Sequence, residues 1–328
     1  MGLLRPSKFD KFTRKDYIYS TVEDHDIWTS VFTPTYYDGY QNHQRRDNGI
    51  GYTPVLVFWH GGGFIVGNRL YEPWWPSWLL ELAHSQGAII IAPDYRLLPE
   101  ATGADMVDDM HEFWTWMLDE LPLIAEQESW SLRPDPSRII CAGHSAGGTF
   151  ALLSALERPD AQIKAVLSLY AALDDSVPEL KMSRPRKILG AWPPPPRQAE
   201  AAIRSYLKQT RGTVRTDGDP VEMWELVTCI MQQGRLPRML TQRPDPRLNA
   251  IATIAKYRRS PPIWLIHGEN DSVVPPACAT EFVRRVKESV PHAPMILSLK
   301  PGEHNFDAPL SMHEPWIAEG CGFLLRYW

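Results

Sequence analysis

The segment with the clearest chemical signature is Gly143-His-Ser145-Ala-Gly147. The spacing Gly-x-Ser-x-Gly is typical of a nucleophilic serine on a sharp strand-to-helix turn, where neighbouring side chains must be nearly absent. The preceding run, Arg138–Ala142, is mainly apolar and strand-like, and the following residues, Thr149–Leu156, have the composition of a helix. The pattern therefore predicts that Ser145 attacks the carbonyl carbon of an acyl group.

A second motif, His60-Gly61-Gly62-Gly63-Phe64, follows the predicted strand Val55–Trp59. A glycine run in that position lets backbone N–H groups point into a pocket and stabilise the oxygen that becomes negative during attack on a carbonyl. Neither motif has the spacing of a phosphate-binding loop or a dinucleotide-binding loop. The two motifs together favour acyl transfer over nucleotide chemistry.

A nucleophilic serine needs a base, and in this type of site an acid and then a histidine follow the serine along the chain. Four histidines follow Ser145. We prefer His304, because it comes just after the last predicted strand, where a loop can return it to the serine. His267 ends a strand but precedes the acid, and His292 and His313 have the context of surface residues that flank helices.

The acid that orients this histidine has three candidates. Asp271 lies in the loop after the strand-like run Ile263–His267 and is followed by a Val-Val-Pro turn that can support it. Glu269 is closer to the end of the strand, and Asp307 lies beyond the histidine. We therefore expect Asp271 to be the acid and keep Glu269 and Asp307 as alternatives.

These residues lie on an alternating pattern of strands and helices. Short apolar runs without apolar–polar alternation suit strands that are buried on both faces, so the sequence predicts an α/β fold with a mostly parallel sheet flanked by helices. Between several of these apolar runs, apolar residues recur with the spacing of a helix, for example from Trp75 to Leu82. The predicted strands are Val55–Trp59, Ala88–Ala92, Arg138–Ala142, Ala165–Tyr170, Ile263–His267 and Met295–Leu299.

Residues 174–259 interrupt this alternation, because they contain helical segments and proline-rich linkers but no convincing strand. The clearest helix is predicted to start at Asp219, with Pro220 in its first turn, and to end before Gly234. The stretch has 16 Lys and Arg against 9 Asp and Glu, a net charge of +7, whereas the rest of the chain carries −12. The sequence thus predicts a basic helical insertion on an acidic body.

The whole chain of 328 residues has a formal net charge of −5 and 44% hydrophobic residues. This composition excludes intrinsic disorder, and the charge disfavours a nucleic-acid partner. No apolar run reaches the roughly 20 residues of a membrane-spanning helix, no signal peptide is recognisable, and the four scattered cysteines fit reduced thiols, so we expect a cytoplasmic protein. The histidines are scattered, so no metal or organic cofactor is expected.

With these motifs in order, the chain resembles the hormone-sensitive-lipase-like carboxylesterase branch of the α/β-hydrolases over residues 54–173 and 260–328. The shared segments are the His60 motif, Asp94–Glu100, the Ser145 motif, Asp271 and His304. The resemblance implies Ser145 as nucleophile, His304 as base and Asp271 as acid. It also implies oxyanion N–H groups from the residues Gly62, Gly63 and Ala146.

The resemblance further implies a division of the chain. Residues 51–173 and 260–328 would form the catalytic domain, residues 174–259 a helical cap, and residues 1–50 an N-terminal segment that contributes to the cap. The sequence departs from the branch at His144, where Asp is more common, and at Asn305, where Gly often follows the catalytic histidine.

Further residues are candidates for the substrate pocket. His144 either touches substrate or caps the helix that follows. Trp74 and Trp75 follow the oxyanion loop closely and could line an acyl pocket, although packing is the usual role of such rings.

The sequence thus predicts a serine hydrolase that cleaves an ester of a small-molecule acyl substrate. An alternative is a trans-acting thioesterase, lactonase or acyl-releasing hydrolase that acts on a carrier-bound or CoA thioester, which the basic insertion could attract. An arylformamidase and a non-catalytic binding protein on a hydrolase scaffold are further alternatives. If Met295–Leu299 is an open sheet edge, it could support a homodimer.

Overall fold

The computed structural model describes residues 7–35, 51–173, 177–178 and 187–328. Its centre is one sheet of eight strands in the order β1-β2-β4-β3-β5-β6-β7-β8, in which β3 to β8 are parallel and β1 and β2 are antiparallel to their neighbours. The strands are β1 Phe12–Val22, β2 His25–Pro34, β3 Gly51–Trp59, β4 Ile89–Pro93, β5 Leu132–His144, β6 Ala165–Leu169, β7 Ile263–Gly268 and β8 Met295–Lys300.

Helices connect the strands and cover both faces of the sheet. Leu56 and Phe58 of β3 point to one face, which packs on the helices α1 and α10, whereas Val55 and Val57 point to the other, which packs on α2, α4 and α9. This two-sided burial explains the continuous apolar runs. The helices are α1 Ser77–Ser85, α2 Gly103–Thr115, α3 Leu121–Gln127, α4 Ala146–Glu157, α5 Pro196–Gln209, α6 Trp224–Gln232, α7 Leu236–Leu240, α8 Ala250–Tyr257, α9 Ala277–Ser289 and α10 Pro315–Leu325.

All six predicted strands are confirmed, and with them the predicted mostly parallel sheet. The expectation that residues 1–50 contribute to a cap is wrong for the part that the structure describes, because β1 and β2 extend the sheet instead. β2 pairs with β4 from Thr29 opposite Pro93 to Phe32 opposite Ile90. Most residues of β1 are at least partly exposed, so the continuous apolar signal of the central strands is missing there. The prediction for residues 36–50 lies outside the described residues.

Between β6 and β7, the described residues form the four helices α5 to α8 and no strand. The helix predicted from Asp219 begins later, at Trp224. Asp219 instead closes a turn, because its carboxylate accepts hydrogen bonds from the N–H groups of Val221 (2.7 Å) and Glu222 (3.0 Å). An Asp followed by Pro is a turn signal as well as a helix-start signal, and here the turn forms first.

The parallel strands all end on the same edge of the sheet, and the loops that follow them meet there. The loop after β3 carries the glycine run, the turn after β5 carries Ser145, and the loops after β7 and β8 carry Asp271 and His304. This is the edge at which open α/β sheets bind their ligands. In the described part of the chain, no helix is both long enough and apolar enough to cross a bilayer.

Candidate active site

Ser145 occupies a tight turn between β5 and α4. Its φ angle is +54°, a left-handed conformation that serine rarely adopts. Two close backbone approaches make this turn possible. A Cβ atom on Gly143 would lie 2.1 Å from the carbonyl oxygen of Gly147, and a Cβ atom on Gly147 would lie 2.0 Å from that of Trp59. Both glycines of the Gly-x-Ser-x-Gly pattern are therefore required by packing.

The residue after the serine begins a helix. Ala146 is the first residue of α4, so its N–H has no acceptor within the helix and is available to an anion. Gly61 completes the approach from the other side, since a Cβ atom there would lie 3.1 Å from the Ser145 Cβ atom. The glycine run is thus packed directly against the nucleophile turn.

The glycine run forms a turn that we call the oxyanion loop, residues 61–67. Gly62 and Gly63 have φ angles of +104° and +64°. The Gly62 carbonyl accepts hydrogen bonds from the N–H groups of Ile65 (3.0 Å) and Val66 (3.1 Å), and a Cβ atom on Gly62 would lie 1.8 Å from the Val66 oxygen. No acceptor among the described residues takes the N–H of Gly63, which leaves it available as an oxyanion donor.

Two buried histidines support the oxyanion loop from below. The His60 Nδ1 atom lies 2.8 Å from the Gly61 carbonyl, and the His60 ring stacks on Tyr95, whose hydroxyl donates to the His60 carbonyl at 2.9 Å. His144 packs beside the rings of Phe58 and Trp74. Burial lowers the pKa of His60 to about 4 and that of His144 to about 3, so both rings are neutral at physiological pH.

The acid candidate Asp271 is buried and fully hydrogen-bonded. One carboxylate oxygen accepts the N–H groups of Val273 and Val274, both at 2.8 Å, and the other lies 2.7 Å from His304 Nδ1 and 3.4 Å from His267 Nε2. Burial alone would raise the pKa of Asp271, but the hydrogen bonds from these partners lower it well below its usual range. Asp271 is therefore an anion that holds the proton of His304 on Nδ1.

His304 is held by its ring neighbour as well as by Asp271. The rings of Tyr170 and His304 meet edge to face with centroids 4.6 Å apart, and the same tyrosine reaches the His144 ring at 6.3 Å. The Tyr170 hydroxyl donates to the Asn305 side-chain oxygen at 2.9 Å. Asn305 has a φ angle of +65°, which explains why glycine is frequent at this position in the carboxylesterase branch that the chain resembles.

Glu303 joins the acid loop to the base loop. Its carboxylate accepts the N–H groups of Ser272 (2.6 Å) and His304 (2.8 Å). Sequence reasoning did not single out Glu303, because a glutamate in a loop carries no recognisable signal.

The rejected alternatives have other positions. Glu269 is exposed, and His292 and His313 are exposed as well. Asp307 is buried and accepts the indole N–H of Trp78 at 2.8 Å, whereas no hydrogen bond joins it to the His304 ring among the described residues. His267 is buried against Asp271, a contact that the sequence order of strand and acid does not reveal.

An apolar pocket opens at Ser145. From the body of the protein, Gly63, Ala146 and Val274 contribute to it, and from the insertion, Met231 of α6 and Leu236 of α7. Met231 lies in the helix predicted before Gly234, but the sequence analysis did not single it out as a pocket residue. The remaining lining residues are Phe64, Ala172 and Val273.

The predicted pocket residues Trp74 and Trp75 do not line this pocket. Trp75 is 1% exposed and packs on Phe58 with ring centroids 4.1 Å apart, so its prediction as a pocket residue is wrong. The indole of Trp74 packs under the oxyanion loop, where a Cβ atom on Gly62 would approach it to 3.3 Å. Both rings follow the loop in sequence, but the chain turns them away from the serine and into the layers beneath.

Comparisons with known proteins identify the family of the chain. A family described as the alpha/beta hydrolase fold matches residues 56–290. The chain is 52% identical over 322 residues, 98% of both chains, to a probable carboxylesterase, M8, of Phoma sp.. It is also 27% identical to a segment of the non-reducing polyketide synthase ascC of Acremonium egyptiacum, which covers 96% of this chain but 15% of the synthase.

The fold also matches solved structures. The esterase of Pyrobaculum calidifontis superposes with a TM-score of 0.58 at 18% identity, over 98% of this chain and 88% of that one. At this identity the likeness concerns the fold alone, and it agrees with the observed sheet and helices. The family match and the Phoma relative confirm the resemblance drawn from the motifs, and the chain belongs to the α/β-hydrolase family.

Proposed function

We propose that the protein hydrolyses carboxylic esters through an acyl-enzyme intermediate on Ser145. The observation that carries the proposal is the position of Ser145: it lies on a strained turn at an apolar pocket, beside the available N–H groups of Gly63 and Ala146. The His304–Asp271 pair, with 2.7 Å between Nδ1 and the carboxylate, supplies the general base of such a site.

The chemistry follows from the hydrogen bonds. Because Asp271 keeps a proton on His304 Nδ1, the lone pair is on Nε2 and can accept the proton of the Ser145 hydroxyl as its oxygen attacks the ester carbonyl. The carbonyl oxygen becomes an anion that the N–H groups of Gly63 and Ala146 stabilise, with Gly62 as the third donor candidate. His304 then protonates the leaving alcohol, and water releases the acid by the reverse sequence.

Two observations support ester hydrolysis in particular. The relative from Phoma sp. that aligns over 98% of both chains is named a probable carboxylesterase. The pocket at Ser145 is lined mainly by apolar side chains, which suits the uncharged acyl portion of a small ester. Trp74 and Trp75 lie outside the pocket, so these two rings take no part in the proposed acyl recognition.

We also propose that the helices between β6 and β7 form a cap on a catalytic domain of residues 51–173 and 260–328. Met231 and Leu236 support this division, because they reach from the insertion to the pocket that contains Ser145. β1 and β2 then belong to the catalytic domain rather than to the cap.

Replacement of Ser145 tests the proposed function. Ser145→Ala removes the nucleophile, so hydrolysis of a p-nitrophenyl ester should fall by about 10⁴-fold or more while the thermal midpoint stays within a few degrees. A fluorophosphonate probe should label the wild-type protein and not the variant. Near-wild-type hydrolysis by a folded Ser145→Ala protein would overturn the proposal.

A second candidate function is release of an acyl group from a carrier-bound or CoA thioester. The alignment of nearly the whole chain with a segment of a polyketide synthase favours it. The basic insertion is weaker support, because several of its arginines are paired with acids: Arg235 with Glu200, and Arg243 with Asp105 and Asp108.

A comparison of substrates separates the two candidates. A p-nitrophenyl ester and an acyl-CoA of equal chain length are assayed over a salt series. A carrier substrate predicts thioester hydrolysis that is fastest at low salt and falls as salt screens the insertion's charge. If the acyl-CoA is not hydrolysed at low salt while the ester is, the carrier hypothesis is wrong and ester hydrolysis stands.

We further propose that β8 pairs with a second copy of the chain. β8 is the last strand in the sheet order, so its outer edge has no neighbour among the described strands. Light scattering at micromolar concentration should then give twice the monomer mass, and a monomer mass would contradict the proposal.

A further inference from the structure

The insertion contacts the oxyanion loop as well as the pocket. Residues 215–218, which we call the oxyanion strap, connect α5 to the turn before α6. The Gly67 N–H donates to the Gly218 carbonyl at 2.7 Å, and the Leu97 N–H donates to the Arg215 carbonyl at 2.8 Å. The Asn68 amide donates to the Asp217 carboxylate at 2.7 Å. A segment of the insertion is thus bonded to residues on both sides of the loop.

The Arg215 side chain makes the central contacts of the strap. Its guanidinium donates to both carboxylate oxygens of Glu100 at 3.0 Å, to the Ile65 carbonyl at 2.9 Å and to the Leu98 carbonyl at 2.6 Å. The Arg215 side chain is 17% exposed and the Glu100 side chain is 1% exposed. The planar fork of five N–H donors is what allows one side chain to bind a carboxylate and two carbonyls at once.

The Ile65 and Leu98 carbonyls belong to residues that are hydrogen-bonded to the oxyanion loop around Gly63. Ile65 donates its N–H to the Gly62 carbonyl at 3.0 Å, and Leu98 donates its N–H to the Phe64 carbonyl at 2.7 Å. Arg215 therefore holds the residues that close the loop around Gly63. A movement of Ile65 or Leu98 would be transmitted through these hydrogen bonds to the Gly63 N–H.

From this geometry we infer that Arg215 is a positioning residue for the oxyanion hole. The inference rests on the proposed function of Ser145. Among the described residues, none of the hydrogen bonds of Arg215 reaches Ser145 or a side chain that lines the pocket, so Arg215 acts through the backbone of residues 62–66. The insertion would accordingly support the transition state from outside the pocket, and not only cover the substrate.

The matched control is Arg243, a second arginine of the insertion that bonds to the body. Arg243 donates to Asp105 at 2.9 Å and to Asp108 at 2.6 Å on α2, and none of its recorded contacts is with the oxyanion loop. Removal of either arginine loses ion pairs between insertion and body. Only the removal of Arg215 should disturb the oxyanion donors.

The experiment compares Arg215→Met, Arg215→Lys and Arg243→Met with the wild type. For Arg215→Met we expect kcat for a p-nitrophenyl ester to fall by roughly 10-fold to 100-fold with KM changed less than about 3-fold, because a misplaced oxyanion donor weakens the transition state more than the bound ester. Arg215→Lys should recover only part of this loss, because an ammonium cannot bind the three acceptors together.

Affinity for a trifluoromethyl ketone separates positioning from general damage. Ser145 adds to this ketone, its proton passes to His304, and the ketone oxygen becomes the anion in the hole. Its affinity should fall with kcat/KM in Arg215→Met and stay near the wild-type value in Arg243→Met. Thermal midpoints set an assay temperature at which all variants are folded.

The outcomes are distinguishable. If the wild type hydrolyses the ester and Arg215→Met keeps its kcat and ketone affinity, or loses no more than Arg243→Met, the inference on Arg215 is wrong and the proposed function stands. If the wild type neither hydrolyses esters nor reacts with a fluorophosphonate, the proposed function itself fails.

Discussion

The two halves of the candidate site are held together by different kinds of interaction. The nucleophile half, with Ser145 and the oxyanion loop, consists of backbone packed on backbone, where a Cβ atom on Gly62 or Gly147 would lie within 2.0 Å of a carbonyl oxygen. The acid–base half consists of side chains on two loops, with Asp271 and His304 joined by hydrogen bonds. The first half resists any added atom, whereas the second depends on charge and tautomer.

This difference indicates where a substitution can lower the catalytic rate without lowering the stability of the fold. A change in the acid–base half should reduce the rate while the protein stays folded, because the loops lose one hydrogen bond and no packing. A change in the nucleophile half should reduce both, since the turn and the layers beneath it are packed together. Four substitutions test the contrast.

The largest effect is expected for Asp271→Asn. An amide cannot hold the His304 proton on Nδ1 as a carboxylate does, so kcat should fall by about 10⁴-fold, the loss that a wrong tautomer causes in other triads. Steady-state kinetics measure the rate, and the thermal midpoint should change by only a few degrees. The control is Glu269→Gln, an exposed neighbour in the same loop that should keep wild-type activity.

Gly62→Ala should reduce activity and stability together. The new Cβ atom would lie 1.8 Å from the Val66 carbonyl oxygen, so the oxyanion loop must move. We expect a loss of about 10²-fold to 10³-fold in kcat, comparable to the loss of one oxyanion donor, together with a lower thermal midpoint. Gly212→Ala is the matched control, because Gly212 also has a positive φ angle, +74°, but open space around it. An active, stable Gly62→Ala protein would contradict the contrast.

The buried histidines of the nucleophile half predict a pH effect on stability. Burial holds the pKa of His144 at about 3, below its ordinary value, so the unfolded chain binds more protons between these two values. Stability should therefore fall as pH falls below about 6.5, and His144 should account for about 2 kcal/mol at pH 5.

His144→Gln removes this contribution. Urea unfolding at pH 7 and pH 5 should show a smaller difference in the free energy of unfolding for the variant than for the wild type. The remaining difference should include His60, whose pKa burial lowers to about 4. Equal pH dependence in the two proteins would mean that the His144 ring is not kept neutral by burial.

The smallest effect is expected for Tyr170→Phe. The ring that lies against His304 remains, and the variant loses the hydroxyl's bond to Asn305 together with its interaction with the Asp307 carboxyl, so kcat should fall by roughly 3-fold, the equivalent of less than 1 kcal/mol. Asn305→Gly removes the same bond from its other end and keeps a residue suited to the positive φ angle. If the bond is the cause, the double variant should be no slower than either single variant.

Much of the fold could be predicted because most of its parallel strands are buried on both faces. The six predicted strands are continuous apolar runs, β8 at the sheet edge included, and the order of Ser145, Asp271 and His304 along the chain follows the order of the strands that carry them. β1 escaped prediction because its exposed polar residues interrupt the apolar pattern, and β2 because the buried polar residues Thr29 and Ser30 interrupt it.

The supporting contacts of the site could not be predicted, because they join residues that are distant in sequence. Arg215 bonds to the Ile65 carbonyl 150 residues away, and Tyr170 to Asn305 135 residues away. An arginine among the 16 Lys and Arg of the insertion has no signal that marks it as different from the others. Trp75 shows the converse, since nearness in sequence to the oxyanion loop did not place it at the pocket.

The four cysteines have a practical consequence. All of them are buried, and burial raises the pKa of Cys141 and Cys321 to about 12, so thiol reagents should react slowly with the folded protein. A cysteine introduced at Val221, which is 75% exposed in the insertion, would then be the main reactive thiol. A fluorophore or spin label attached there would report whether the insertion moves relative to the catalytic body during turnover, without removal of any native cysteine.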